Sequence, residues 1–225
     1  VTLFVGCVVD AWFSDIHKAT IEVLRAAGYR VDAPSNQTCC GALAAHDGFP
    51  QDAGVMAVTN RDALREADVI VVNVAGCGAH LKADPELGHK VRDITEFVAG
   101  AIQDGRLPVM PSNAERVAIQ DPCHLEHGQG IVAEPRAVIA AAGYDVVDAD
   151  PGGLCCGAAG TFLIDHRDAS AELGRRKAAS VEATGASLVA SANAGCEMQL
   201  RHFLDSGYDV RHPIELYAAQ LSTAE

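Results

Sequence analysis

Basic side chains are scarce: 17 Lys and Arg stand against 30 Asp and Glu, a formal net charge of −13. Such a balance would repel phosphates, so no nucleic-acid partner is expected. It also offers no basic patch for anionic lipid. Long apolar runs are missing too. The richest, Val69–Val74, is strand-length and falls far short of the roughly 18 residues that a membrane-spanning helix needs. No basic-then-apolar leader opens the chain, and a cytoplasmic location is expected, peripheral to the inner membrane face at most through partners. The chain starts at Val1 with Leu3–Val5 already strand-like, as in a fragment of a longer protein. Neither a nucleophile–base arrangement nor a phosphate-cradling glycine loop is visible, so substrate chemistry is expected elsewhere.

What is present is a hydrophobic fraction of 49% over 225 residues. That is enough for a full core, in one large domain or two of about 110 residues. Eight cysteines are too few for a small disulfide scaffold. Two adjacent pairs, Cys39–Cys40 and Cys155–Cys156, also suit ordinary bridges badly, because neighbours cannot easily pair with each other.

The chain repeats itself. Cys7 precedes Cys39 by 32 residues, and Cys123 precedes Cys155 by 32. Both later members open the string Cys-Cys-Gly-Ala, and each interval holds Ala-Ala-Gly-Tyr, at 26–29 and 141–144. Each half then reaches Ala-Gly-Cys, at Ala75–Cys77 and Ala194–Cys196, and 19 residues on comes Glu96-Phe97 or Glu215-Leu216. Landmarks in one order at matching gaps indicate a duplication. The expected halves are 1–108 and 109–225, with a seam at Leu107–Glu115.

Apolar runs predict strands at Thr2–Val5, Tyr29–Ala33, Val69–Asn73, Arg116–Ile119, Tyr144–Ala149 and Leu188–Ala192. Helical spacing predicts Ile16–Ala26, Ala53–Glu66, Pro135–Ala142 and Ala169–Thr184, with Gly28 and Gly143 as stops. Strands alternating with helices give an α/β fold class: two pseudo-symmetric halves, each a small layered unit on a parallel sheet. All the cysteines then fall at or beyond carboxyl ends of strands, where open α/β sheets place their sites. Helices beginning there would favour thiolates. Gly41, Gly157, Gly76 and Gly195 would let backbone approach a bulky inorganic group.

Each half supplies one early cysteine, a vicinal pair and one late cysteine: Cys7, Cys39, Cys40 and Cys77, then Cys123, Cys155, Cys156 and Cys196. Four thiolates suit an iron–sulfur cluster or a tetrahedral zinc ion. Adjacent ligands pinch around one ion but can reach different irons of a cluster. Zinc stays open in the first half, where His80 follows Cys77 at a ligand-like spacing; Gln199 is its counterpart. His124 and His127 are candidates to donate to cluster sulfur, or to cap the following helix. Core packing is expected for Trp12 and Phe13.

The strings Cys39-Cys40-Gly41 and Cys155-Cys156-Gly157, between flanking cysteines, resemble the cysteine-rich CCG domain. That domain occurs twice in one of the subunits of heterodisulfide reductase, and in iron–sulfur subunits of glycolate oxidase, lactate-utilisation proteins and anaerobic glycerol-3-phosphate dehydrogenase. Gln37–Leu43, Ala75–Lys82 and Asp121–Leu125 with His127-Gly128-Gln129 look most like the glycolate oxidase iron–sulfur subunit. The resemblance implies clusters, of the [4Fe-4S] type by ligand count, that relay electrons from an FAD-containing dehydrogenase subunit oxidising a 2-hydroxyacid. Two departures stand out. The heterodisulfide reductase pattern ends in Cys-x-x-Cys, and His80 and Gln199 occupy that final position here. The ferredoxin-like domain that precedes the glycolate oxidase repeats is not in this sequence; either it was removed, or a separate domain or subunit supplies it. The alternatives are a cluster enzyme acting on thiols and disulfides, and a zinc-stabilised assembly domain.

Overall fold

Alternation along the strands sets the layers. In the computed structural model, which describes residues 1–149 and 152–223, the first half runs β1 (Thr2–Phe4), α1 (Val8–Trp12), α2 (Ser14–Ala26), α3 (Ala42–His46), α4 (Pro50–Ala63), β2 (Ile70–Val72), α5 (Ala75–Lys82), β3 (Val91–Asp93) and α6 (Ile94–Gln103). The second runs β4 (Arg116–Gln120), α7 (Cys123–Gln129), α8 (Ala133–Ala141), β5 (Asp145–Asp148), α9 (Phe162–Asp165), α10 (Arg167–Glu182), β6 (Leu188–Ser191), α11 (Ala194–Phe203), β7 (Asp209–Arg211) and α12 (Pro213–Thr223). One sheet has the order β1-β2-β3 and the other β5-β4-β6-β7. Every pairing is parallel, as helix crossovers require. The expected α/β class with two parallel-sheet units is what the chain adopts. The expected second range, 109–225, includes positions 150–151 and 224–225, which lie outside the described residues.

Successive strand residues point to opposite faces. Val71 on β2 and Val117, Ile119, Leu188 and Ala190 on β4 and β6 face a single inner cluster. Ile70 and Val72 face an outer cluster with Leu64, Leu81 and Leu87. Ala118 and Val189 face another with Val181 and Leu200. The inner cluster is filled by four helices: α2 (Ile16, Val23), α6 (Ile94, Val98), α8 (Val138, Ile139) and α12 (Ile214, Tyr217). The last helix of each half packs on the first long helix of the other, α12 on α2 and α6 on α8. The two sheets thus share one core.

Gly28 and Gly143 end α2 and α8 with φ of +84° and +90°. In both turns a Tyr amide reaches back five residues, Tyr29 to the Leu24 carbonyl and Tyr144 to Ile139. The seam crosses this second turn: Met110 N donates to the Ala141 carbonyl and Asn113 N to Gly143. A Cβ on Gly143 would come within 2.3 Å of the Pro111 carbonyl oxygen, so glycine is obligatory there on two counts.

Three expectations need correction. Tyr29–Ala33 forms no strand; only a bridge between Thr2 and Asp32 is made, and Pro34 supplies no amide to extend it. Helices α4 and α10 begin three and two residues earlier than periodicity suggested, α4 with Pro50 in its first turn. Trp12 is 69% exposed rather than packed. Phe13 does pack on the inner cluster, with the Arg201 guanidinium 5.7 Å over its ring.

Duplicated caps launch α6 and α12. Asp93 Oδ1 accepts the Thr95 amide at 2.8 Å, and Glu96 reaches back to the Asp93 amide. At the matching place His212 Nδ1 accepts the Ile214 amide at 3.1 Å and Glu215 reaches back to the His212 amide at 2.8 Å. Burial, with His17 nearby, pushes the His212 imidazole down to about 3 from an ordinary 6.5.

Two outcomes follow. Calorimetry of the whole chain gives a single transition, with equal calorimetric and van't Hoff enthalpies, and Ile139→Ala lowers its stability by about 3 kcal/mol; two separable transitions would contradict a shared core. Between pH 6.5 and 3 the unfolded His212 takes up a proton that the folded one refuses, so stability falls as pH falls. His212→Asn, which keeps a capping acceptor, therefore shows a shallower loss of urea midpoint from pH 7 to 5 than the parent. The loss does not vanish, because buried His17 is shifted in the same direction by desolvation.

Candidate metal centre

All eight cysteines are free thiols, and they gather as two groups of four. In the first half Cys7 Sγ lies 3.2 Å from Cys39 Sγ, and Cys40 Sγ 3.2 Å from Cys77 Sγ. The vicinal peptide joins the two pairs, and Cys39 and Cys40 also interact through their thiols. A Cβ on Gly6 would stand 3.8 Å from Cys77 Sγ, which shows how closely the turn before Cys7 approaches. In the second half Cys156 Sγ is 2.9 Å from Cys196 Sγ, while Cys155 hydrogen-bonds with Cys123 and Cys156.

The local fold explains this convergence. Cys7, Cys77, Cys123 and Cys196 stand at or within the first turn of a helix just past β1, β2, β4 and β6, so parallel strands deliver them to the same sheet edge. The vicinal pairs sit on loops that turn back at Gly41 and Gly157, with φ of +88° and +84°. Those turns aim amides at sulfur: Gly157 N donates to Cys155 Sγ at 3.4 Å, and Gly41 N lowers the Cys39 thiol in the same way. Buried Asn60 braces the first loop, its Oδ1 taking the Thr38 amide and its Nδ2 donating to the Cys39 carbonyl, both at 2.9 Å.

Electrostatics separate the two groups. Desolvation and the bond with Cys39 raise the Cys7 thiol. The bond with Cys40, then burial, raises Cys39. For Cys40 the bond with Cys39 pulls down, but the bond with Cys77 and burial outweigh it and push it up to about 12. In the second group the bond with Cys155 and burial raise Cys123, the bonds with Cys155 and Cys196 raise Cys156, and Cys155 is drawn down by donation from Cys123 and Cys156. Cys196 is lowered by Cys156 and further by Asn193. A buried ammonium contributes: Lys177, 1% exposed, lowers both Cys155 and Cys196. Its counterpart in the first half is the neutral Asn60.

Asn193 connects the groups. Its Oδ1 accepts the Gly76 amide at 3.2 Å and its Nδ2 donates to Cys196 Sγ at 3.4 Å. One carboxamide thus separates the second group's sulfur from the turn carrying Cys77. Beside it the Ala75 amide donates to the Ala192 carbonyl at 3.1 Å. Asn193 and Val74 hold equivalent N-cap positions of α11 and α5, with nearly equal backbone angles; only Asn193 has polar atoms to give.

The histidines distribute differently from expectation. His124 Nδ1 lies 3.7 Å from Cys123 Sγ. His80 faces His46 at a ring separation of 6.5 Å, and His46 faces His124 at 6.1 Å. Burial, then His46, lowers both His80 and His124, which keeps their imidazoles neutral. His127 is largely exposed, 3.9 Å from Glu126. Sequence reasoning missed His46, Asn60, Lys177 and Asn193. The duplication could have found the last two, since Lys177 puts a charge where the first half has Asn60, and Asn193 a carboxamide where it has Val74.

Donor chemistry fits a thiolate-bound group: four sulfurs per half, unbridged, with amides directed at them. The pairs are closer than the ~3.8 Å edges of a zinc–thiolate tetrahedron with 2.3 Å bonds. Among the described residues no three donors have the spacing of a single bound ion, so metal entry requires the thiols to part.

Asn193→Val removes the acceptor of the Gly76 amide. Hydrogen exchange at that amide accelerates by about fivefold or more in the metal-free chain, and stability drops by about 1 kcal/mol. Unchanged protection of Gly76 would show that the carboxamide is not its partner in solution.

The chain is 35% identical to a subunit of the fumarate reductase (CoM/CoB) of Methanothermobacter marburgensis, over 90% of this chain and 42% of that protein. It is 31% identical to the probable glycolate oxidase iron-sulfur subunit of Bacillus subtilis, over 89% and 49%. It is 27% identical to lactate utilization protein A 2 of Bacillus cereus, over 99% of each. The chain spans less than half the length of the first two. The profile of the family described as the cysteine-rich domain, CCG, matches residues 1–82 and 117–201. The chain belongs to the CCG cysteine-rich domain family, with the motif present twice.

Proposed function

We propose that this chain is an iron–sulfur electron-transfer component of a flavin-linked oxidoreductase acting on a 2-hydroxyacid such as glycolate or lactate. The observation that carries the reading is the gathering of eight free thiols into two groups of four at the sheet edges. The names of the relatives from Bacillus support it. Cys7, Cys39, Cys40 and Cys77 would hold one cluster and Cys123, Cys155, Cys156 and Cys196 the other, each of the [4Fe-4S] type. Bound clusters would supply reversible one-electron exchange. Partners under this reading are an FAD-containing dehydrogenase subunit and a ferredoxin-like iron–sulfur domain or subunit. No helix among the described residues is long and apolar enough to cross a membrane.

The chain's own residues hold and tune. Glycine turns bring backbone amides to the vicinal sulfurs, and donors to ligand sulfur stabilise the more negative, reduced state. The second group has two donors of charge or hydrogen bond that the first lacks, Lys177 and Asn193. It is therefore the better electron sink of the two. Neutral His124 beside Cys123 adds a polar neighbour without a fixed charge.

The relationship to a component of a CoM/CoB fumarate reductase favours a second reading, in which the clusters act directly on a thiol–disulfide couple. Zinc in the first half, with His80 as an added ligand, is the third.

Anaerobic preparation with iron, sulfide and zinc analysis tests all three. Iron and acid-labile sulfide in equal amounts are expected, falling by about half in Cys156→Ala or Cys40→Ala and vanishing when both are changed. Stoichiometric zinc without iron would end the electron-transfer reading. Iron-loaded protein that reduces a disulfide unaided by a flavoprotein would favour the second.

A further inference from the structure

The duplication sets five positions against five: Cys40 with Cys156, Ala57 with Gly174, Asn60 with Lys177, His80 with Gln199, and Asp84 with Phe203. In the first half all five line a partly open cavity of about 200 Å³, whose remaining wall is apolar (Leu81, Ala83, Pro85, Leu87). In the second half the same space is occupied. The Phe203 ring lies on Gly174 so closely that a Cβ there would meet its Cε2 at 2.2 Å. Gln199 Nε2 turns inward to the Ser170 carbonyl and hydroxyl, both at 3.1 Å, and the long Lys177 side chain is buried.

We propose that the first sulfur group is open to small non-anionic solutes, which reach Cys40 beside His80 through this cavity, and that Phe203 and Gln199 seal the second. Size sets one limit: a cavity of about 150 Å³ accepts benzene, so this one takes a solute of that order. Charge sets another. The Asp84 carboxylate, fixed by the Glu86 and Leu87 amides and by Arg61 at 3.0 Å, lines the wall, and a chain of net charge −13 disfavours anions. Cys40 and Cys156 are themselves equally buried, at 4% exposed, so the difference between them is the cavity beside Cys40; at the flanking positions Cys7 is exposed and Cys77 half-buried, whereas Cys123 and Cys196 are half-buried and buried. Within the electron-transfer reading, the first group is then the terminal that meets small soluble reactants, and the second is an interior relay. That assignment rests on the proposed function; the cavity and its plug do not.

The test is pulsed alkylation of the reduced, metal-free, full-length chain, with each cysteine resolved by mass spectrometry and compared only with itself across variants. Ala57→Phe fills the cavity and slows the reaction of Cys40 with iodoacetamide by about tenfold, while Phe203→Ala opens the second half and speeds Cys156 by a similar factor. Iodoacetate, the anionic probe of like size, reacts with Cys40 of the parent more slowly than iodoacetamide does, and its rate there falls further in Ala57→Phe. Circular dichroism verifies folding, and if Ala57→Phe does not fold, Phe203→Ala decides. Cys40 within about twofold of the parent in folded Ala57→Phe, or Cys156 unmoved by Phe203→Ala, overturns the proposal. Failure to find iron in anaerobically prepared protein would instead remove the cluster reading and leave these rates as they stand.

Discussion

The whole structure depends on helix packing across the two halves. α6 lies on α8 of the other half as well as on β2 and β3 of its own, and α12 lies on α2 of the other half as well as on α8 of its own. Burying Ile94, Val98, Ile214 and Tyr217 in one cluster with both sheets therefore fixes the two halves relative to each other. The hydrophobic term that folds the chain is also the term that aligns the two sheet edges, and the sulfur groups with them.

Within that frame each thiol group is a compromise. Bringing four sulfurs together buries polarisable groups whose charged forms are costly, and burial with thiol–thiol bonds raises Cys7, Cys39 and Cys40 in the first group and Cys123 and Cys156 in the second. The second group answers with donors. Lys177 and Asn193, which the first group lacks, both act on Cys196. Similar backbones thus carry two electrostatic environments, and the difference lies in side chains rather than in the fold.

Much of this was legible in the sequence. The cysteines declare themselves by repeated spacing, and β1, β2, β4 and β6 by apolar runs that must be buried on both faces. Elements with weak patterns were not legible. Strands β3 (Val91–Asp93) and β7 (Asp209–Arg211) are three residues long with charged members, and their pairing with central strands defines them. The helices after them were visible only as the landmarks Glu96 and Glu215, which prove to be capping residues. Tyr29–Ala33 had the composition of a strand but no continuing partner. Trp12 followed the rule for large aromatics and broke it. Contacts between halves leave no period in a sequence, so the packing of helices across the halves and the meeting of His46, His80 and His124 emerged only in three dimensions.

Reciprocal packing of this kind is what two identical subunits form about a two-fold axis, where every residue meets its own image partner. A dimer of identical chains must make any change on both sides at once. Two copies in one chain are free of that obligation: Val74 is apolar where its counterpart is Asn193, and Asp84 lines a cavity where its counterpart, Phe203, lies on Gly174. A repeated backbone can therefore carry two centres with different surroundings.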